Sequence, residues 1–193
     1  MGESIGRIIT WFVAVIVMFI VPITLQAVKQ DDMKQAVIDD AVVEFVDNAR
    51  AAGEISPTSY LTFMSRVNAA HKICDVRVFY EASEVTPVPE SEAGALSGYG
   101  YKRSLQTFGV DDITGYMFYK TDAYGNIIRN ASGFPQDLDE PRDFPLKEGG
   151  YLSVEVVNKT PTLGTQMARL FIPQYGGTKL LSSYGGYVGN NKQ

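Results

Sequence analysis

The sequence predicts an α+β protein: a long N-terminal transmembrane or stem helix, a short second helix, and a C-terminal antiparallel β-rich head. Three features carry that expectation. An uncharged run, Ile8 to Val28, lies between Arg7 and Lys29. From Asp31 to Ala52 the chain has no proline or glycine and turns amphipathic with a helical period. Beyond that, apolar segments alternate with Gly, Pro, Ser and Asn, the pattern of strands and turns.

The first run, at about 1.5 Å per helical residue, matches a hydrocarbon layer of about 30 Å. Trp11, Phe12, Val15 and Phe19 fill it, and Pro22 interrupts its hydrogen bonding, so a kink or loosened turn is expected there. A cleaved secretory signal is the competing reading. The run exceeds the usual ~7–15 apolar residues of such a signal, and Leu25 is large where a small residue is wanted. Basic residues flank both ends, Arg7 on one side and Lys29 and Lys34 on the other, so the positive-inside rule does not settle orientation. An outward C-terminal domain is the expectation, giving a single-pass membrane protein.

Further along, Ile38, Ala41, Val42, Phe45, Ala49 and Ala52 share one helical face, opposite Asp39, Asp40, Glu44, Asp47 and Arg50. Gly53 is a natural residue to end the helix. One nearly continuous helix over 5–52 follows, roughly 70 Å long, and the chain divides into a stem, 1–53, and an exposed head, 54–193. Ser56-Pro57 is a helix start, with Tyr60, Leu61, Met64 and Val67 as the apolar stripe of a second helix folding back on the stem.

Cys74 to Ala82 alternates, with Val76, Val78 and Tyr80 on one side, and reads as a half-buried strand. Ser83 to Gly98, rich in proline and glutamate, reads as a loop. Tyr116-Met-Phe-Tyr-Lys-Thr121 and Ile127-Ile-Arg129 flank Asp122-Ala-Tyr-Gly-Asn126, a hairpin signal. Ser132 to Lys147 is irregular. Gly149-Gly150 introduces a clear strand, Tyr151 to Val157, whereas Leu163 to Ile172 fits helix or strand equally. The tail repeats Tyr175-Gly-Gly and Tyr184-Gly-Gly-Tyr187.

Chemistry is sought and not found. The net charge of −5 gives nucleic-acid binding no electrostatic support. Cys74 is the single cysteine and His71 the single histidine, so neither an intrachain disulfide nor an ordinary zinc site can form. Gly98-Tyr-Gly100 with Lys102 completes no phosphate loop. The acidic groups Asp31-Asp32, Asp39-Asp40, Asp111-Asp112 and Asp137, Asp139, Glu140 lack calcium-loop spacing. No catalytic, cofactor or metal residue is therefore expected, and the chain is read as a non-enzyme. Asn130-Ala-Ser and Asn158-Lys-Thr have the form of glycosylation sequons. Tyr99, Tyr101, Tyr175, Tyr184 and Tyr187 lie in glycine-rich segments, where contact between subunits and structural filling are both open readings. Tyr175, Tyr184 and Tyr187 form the candidate intersubunit tail.

The order of elements resembles type IV pilin-like proteins. Ile8-Ile-Thr-Trp11 through Pro22, Glu44-Phe-Val-Asp-Asn-Ala-Arg-Ala-Ala-Gly53, Ile55-Ser-Pro-Thr-Ser-Tyr60, Val156-Val-Asn-Lys-Thr-Pro161 and Tyr184-Gly-Gly-Tyr187 are similar to segments of pilin-like subunits encoded with Tad-type pilus machinery in Gram-positive bacteria. The resemblance implies a structural subunit of a surface filament or secretion apparatus, with the lipid bilayer, further copies of itself and a pilus assembly platform as partners. It also departs from the pattern: cleavage after Gly6 puts Trp11 where such subunits carry a glutamate. A membrane-tethered module whose head captures a peptide, glycan or ion is the rival from another class.

Overall fold

A computed structural model describes residues 2–70, 74–87, 101–122, 126–159, 165–166, 169 and 181–189. Helix α1 runs Gly2–Ala52 without a break, with Pro22 inside it. It begins slightly before the expected start at residue 5. Its end is set by Gly53, whose φ of 75° suits a residue without a Cβ, and whose N–H bonds the Ala49 carbonyl at 2.9 Å. The Gly53 carbonyl in turn accepts Leu146 N–H at 2.9 Å, which ties the helix end to the far side of the head.

Strand β1 (Glu54–Ile55) and helix α2 (Pro57–Ala70) follow. Ser56 caps α2: its Oγ accepts the Ser59 N–H at 3.2 Å and its carbonyl the Tyr60 N–H at 3.0 Å. The buried stripe is Tyr60, Phe63 and Val67, with Met64 partly covered. Leu61, expected inside, is exposed, because at one residue past Tyr60 it has rotated some 100° off the stripe.

Strands β2 (Cys74–Pro87), β3 (Tyr101–Phe108), β5 (Tyr151–Asn158) and β6 (Leu181–Tyr187) form one antiparallel sheet in the order β3-β2-β5-β6. The expected loop at Ser83 is corrected: β2 continues to Pro87, paired residue by residue with β3 from Tyr80↔Phe108 to Pro87↔Tyr101. Cross-strand partners supply what the local composition withholds. Of the remaining loop expectation, residues 88–98 lie outside the described residues, as do His71, Gly98-Tyr-Gly100 and nearly all of Leu163 to Ile172. The β5 strand alternates half-buried and buried throughout, as the sequence suggests.

A second correction falls at Tyr116. Residues 110–118 form helix α3 (Val110–Phe118), not a hairpin strand. The Asp112 carboxylate accepts the Gly109 N–H at 2.9 Å and starts the helix, and Ile113 and Met117, one turn apart, are fully buried beneath it. Of the hairpin, the bridge Thr121↔Ile127 is kept, with the Ile128 N–H bonded to the Lys120 carbonyl and the Asp122 N–H to the Asn126 carbonyl, while Tyr119 and Arg129 bridge instead to Asp137 and Pro135. Its turn, 123–125, lies outside the described residues. Short strand β4 (Phe144–Pro145) pairs with β1.

The core is one body. Ile38, Ala41, Val42, Phe45, Val46 and Ala49 of α1 pack with α2 onto the sheet face carrying Val78, Tyr80, Ala82, Leu152, Val154 and Val156. Ala52, expected on this face, is exposed, and Val46 takes its share of the contact instead. Aromatic rings extend the core: Phe45 stacks on Phe63 at 4.7 Å, and Phe144 meets the edges of Tyr116 and Tyr80. Burial raises the Tyr60 phenol above its ordinary range, with the Asp111 carboxylate adding to the shift. Burial also raises Tyr80, opposed by its backbone hydrogen bond to Lys147.

Two outcomes follow. Gly53→Ala forces a left-handed backbone on a residue with a Cβ and should cost roughly 1–2 kcal/mol in denaturant unfolding of the detergent-solubilised chain. Tyrosines whose folded pKa is raised contribute fully below about pH 10, where both states are neutral, and that contribution falls as pH rises through the folded value. Alkaline melting should therefore steepen above about pH 10, and Tyr60→Phe should flatten it. An unchanged alkaline slope in that variant would remove Tyr60 from the account.

Candidate functional site

The proximal part of α1 presents the most unusual surface of the molecule. Every described side chain from Gly6 to Phe19 is exposed, and these include Trp11 at 74%, Phe12 at 68% and Phe19 at 65% of their free area. Val15 is exposed between them, and Pro22 follows one turn beyond Met18. The apolar residues cover the helix all round, so no face is left for water. Soluble monomers rarely expose continuous apolar surface beyond a few hundred Å². This helix is long and apolar enough to cross a membrane.

The hydroxyls of its two threonines are satisfied within the helix. Thr10 Oγ1 donates to the Gly6 carbonyl at 2.9 Å, and Thr24 Oγ1 reaches the Ile20 and Val21 carbonyls at 3.1 and 2.8 Å. Such back-bonding hides hydroxyls from an apolar surrounding. Pro22 is the exception, since it has no N–H to give the carbonyl four residues earlier.

A second site ties the tail to the stem. Tyr184 Oη donates to Asp47 Oδ1 at 3.2 Å, Arg50 Nε donates to the Tyr187 carbonyl at 2.7 Å, and Arg50 Nη1 bonds Asp47 Oδ1 at 3.0 Å. Gly186 makes room for this arrangement: a Cβ there would sit 2.5 Å from Arg50 Cζ. A Cβ on Gly185 would sit 2.8 Å from the Tyr151 hydroxyl and 2.9 Å from the Leu152 carbonyl oxygen. These two glycines are therefore strand residues over which other groups pass. Tyr184 is partly buried against the core, whereas the Tyr187 ring is exposed and meets Tyr151 edge-on at 5.1 Å. Tyr175 lies outside the described residues. The sequence signal was the tyrosine–glycine repeat; what it could not reveal was the partner, because Asp47 and Arg50 lie 137 residues away.

Elsewhere the chemistry is spent on structure. Burial raises the Cys74 thiol, which keeps it protonated and a poor nucleophile. Asp139 pairs with Lys120 at 3.4 Å, and among the described residues no group of three or more His, Cys, Asp or Glu side chains could hold a metal ion. Asn158 is buried in β5, and the Asn130 Oδ1 accepts the Ser132 and Phe134 N–H groups, each at 3.0 Å, within a turn. The Asn158 sequon is therefore covered, whereas Asn130 is exposed with its side-chain oxygen engaged.

No family model, curated protein or solved structure matches the chain.

Gly186→Val places side-chain atoms where the Arg50 guanidinium lies, so the guanidinium must swing aside and give up its bonds to the Tyr187 carbonyl and Asp47, each worth about 0.5–1.5 kcal/mol. The variant should melt lower than the parent, while Tyr187→Ala, which removes an exposed ring, should change the melting temperature little. Equal melting temperatures for Gly186→Val and the parent would show that the tail is not clasped by the stem.

Proposed function

We propose that this chain is a non-enzymatic pilin-like structural subunit, a single-pass membrane protein with an outward head that assembles through α1 into a surface filament or secretion apparatus. The observation that supports this reading is the division of labour along one helix. The distal half, from Ile38 to Ala49, is locked into the head core, while Gly6 to Phe19 stand clear of it with apolar side chains on every side. A tether alone needs a span and a linker. Here one helix runs unbroken from the span into the head core, so the end of the span that enters the head is oriented by it. That coupling is what an ordered array of subunits requires.

The apolar surface then has two successive covers, lipid before assembly and neighbouring stems within it. Side-chain packing is the attraction available between helices in lipid, where the hydrophobic effect is absent. The lipid bilayer, further copies of this chain and an assembly platform are the partners of this reading. The resemblance in element order, in Trp11 to Pro22 and in Tyr184-Gly-Gly-Tyr187, leads in the same direction.

Electron microscopy of surface fractions, with immunogold labelling of the head, is the test. Label confined to the membrane, with no filament or secretion complex carrying it, would overturn the proposal. Val15→Arg sharpens it: an arginine at the centre of the span costs ~2.5–3.5 kcal/mol on insertion scales, so membrane retention and assembly should fall together. A variant that assembles normally would show that this surface is not the buried seam.

A further inference from the structure

The β2–β3 pair continues past the core as a two-stranded ribbon. From Ser83 onward on β2 and from Tyr101 to Gln106 on β3, almost every described side chain is exposed or half-exposed. One ribbon face brings together Val85, Arg103 and Leu105: Val85 pairs directly with Arg103, and Leu105, paired with Ser83, follows on the same side. Val85 is 57% exposed and Leu105 66%. Arg103 is exposed, and among the described residues its side chain has neither an ion pair nor a hydrogen bond. This is an apolar patch with an unneutralised cation at its centre.

At the base of the same ribbon lies a cleft of about 570 Å³, within the size range of ligand sites. Phe108, Tyr116, Ile127 and Phe144 give it apolar walls, and Asp111 and Asp112 stand at its rim. Its resident cation is already occupied: Arg142 Nε donates to the Tyr116 carbonyl at 2.7 Å, Nη2 to Thr121 Oγ1 at 3.0 Å, and the guanidinium carbon lies 3.9 Å from the centre of the Tyr116 ring. Neither Asp111 nor Asp112 forms an ion pair among the described residues, and Asp112 accepts only the Gly109 N–H. Cleft and ribbon face are thus complementary twice over, acid to base and apolar to apolar.

They cannot meet within one chain. Arg103 is five residues from Phe108 along an extended strand, about 17 Å at ~3.4 Å per residue, and the paired ribbon cannot fold back. We propose that the Val85–Arg103–Leu105 face of one subunit docks in the Asp111–Asp112 cleft of a second copy. The contact uses two different surfaces, so each copy keeps a free ribbon and a free cleft. Such a heterologous contact propagates as an open array unless its rotation closes a ring. It rests on the subunit reading above and names the head-to-head contact that reading needs.

The test is a charge reversal in the full-length chain, reading filament in sheared surface fractions and chain retained in the membrane. Arg103→Glu alone and Asp111→Arg alone should each lose filament at unchanged membrane level and protease resistance of the head. The double variant, which restores opposite charges across the contact, should regain most of the filament. Single variants that assemble like the parent would overturn the ribbon contact and leave the subunit reading standing. Loss in the double variant as deep as in the singles would also overturn it as a direct pairing. A parent chain that forms no filament overturns both.

Discussion

Everything in this molecule hangs on the contact between the distal half of α1 and the sheet. Among the described residues, Val42, Phe45, Val46 and Ala49 form the wall of the core that faces Val154, Val156 and their neighbours on β2, and all are almost fully buried. At about 25 cal/mol per Å² of apolar surface removed from water, one fully buried side chain of this size contributes about 1.5–3 kcal/mol, so half a dozen from one helix outweigh any polar contact in the head. The sheet would be wet on one face without the stem. Equally, residues 38–52 would be a marginal isolated helix without the sheet. Stem and head are therefore mutually dependent, although the sequence invites a boundary between them near residue 53.

The polar groups at the far end of that contact refine its geometry rather than drive it. Asp47, Arg50, Tyr184 and the Tyr187 carbonyl form a half-exposed network. Exposed ion pairs such as Asp47–Arg50 stabilise by at most about 1 kcal/mol. Arg50 occupies the space a side chain at Gly186 would take, so any larger residue there must push the guanidinium away from the Tyr187 carbonyl. The Arg50 guanidinium also covers a carbonyl at the end of an edge strand, a group that would otherwise invite pairing with another chain.

Elements with strong periodicity were legible in the sequence, and those defined by distant partners were not. The α1 helix, the Ser56 cap, the alternation of β2 through Ala82 and the β5 strand all follow from local pattern. Tyr116-Met-Phe-Tyr reads as strand because aromatic residues favour pleated surfaces. It is helical because Asp112 starts a turn and because Ile113 and Met117 share one buried face. Ser83 to Pro87 reads as loop because its composition is poor for a strand, yet eight register pairs with β3 hold the strand to Pro87. The choice of Val46 over Ala52 depends on where the sheet ends, which no single window of sequence contains. The apolar stem was visible at once, since an uncharged run of that length needs no partner to be recognised; the cleft at Asp111 was invisible, because its walls come from four separate segments.

One tension is left within α1 itself. Pro22 withdraws a hydrogen bond and crowds the preceding turn, at a cost of about 3 kcal/mol in a helix interior. In water the exposed Met18 carbonyl would find a solvent donor; in hydrocarbon it would not, and an unsatisfied carbonyl there is expensive. Thr24 shields the Ile20 and Val21 carbonyls but does not serve Met18. The weakest point of the helix therefore lies in the segment that the head does not support, some four turns before Ile38 enters the core. A bend or a local loosening at Pro22 disturbs no core contact, whereas the same change at Val42 or Phe45 would unseat the sheet. Mechanical compliance is confined to the part of the helix whose neighbours must be supplied from outside the chain. The distal half, by contrast, is fixed to the head by its core contacts.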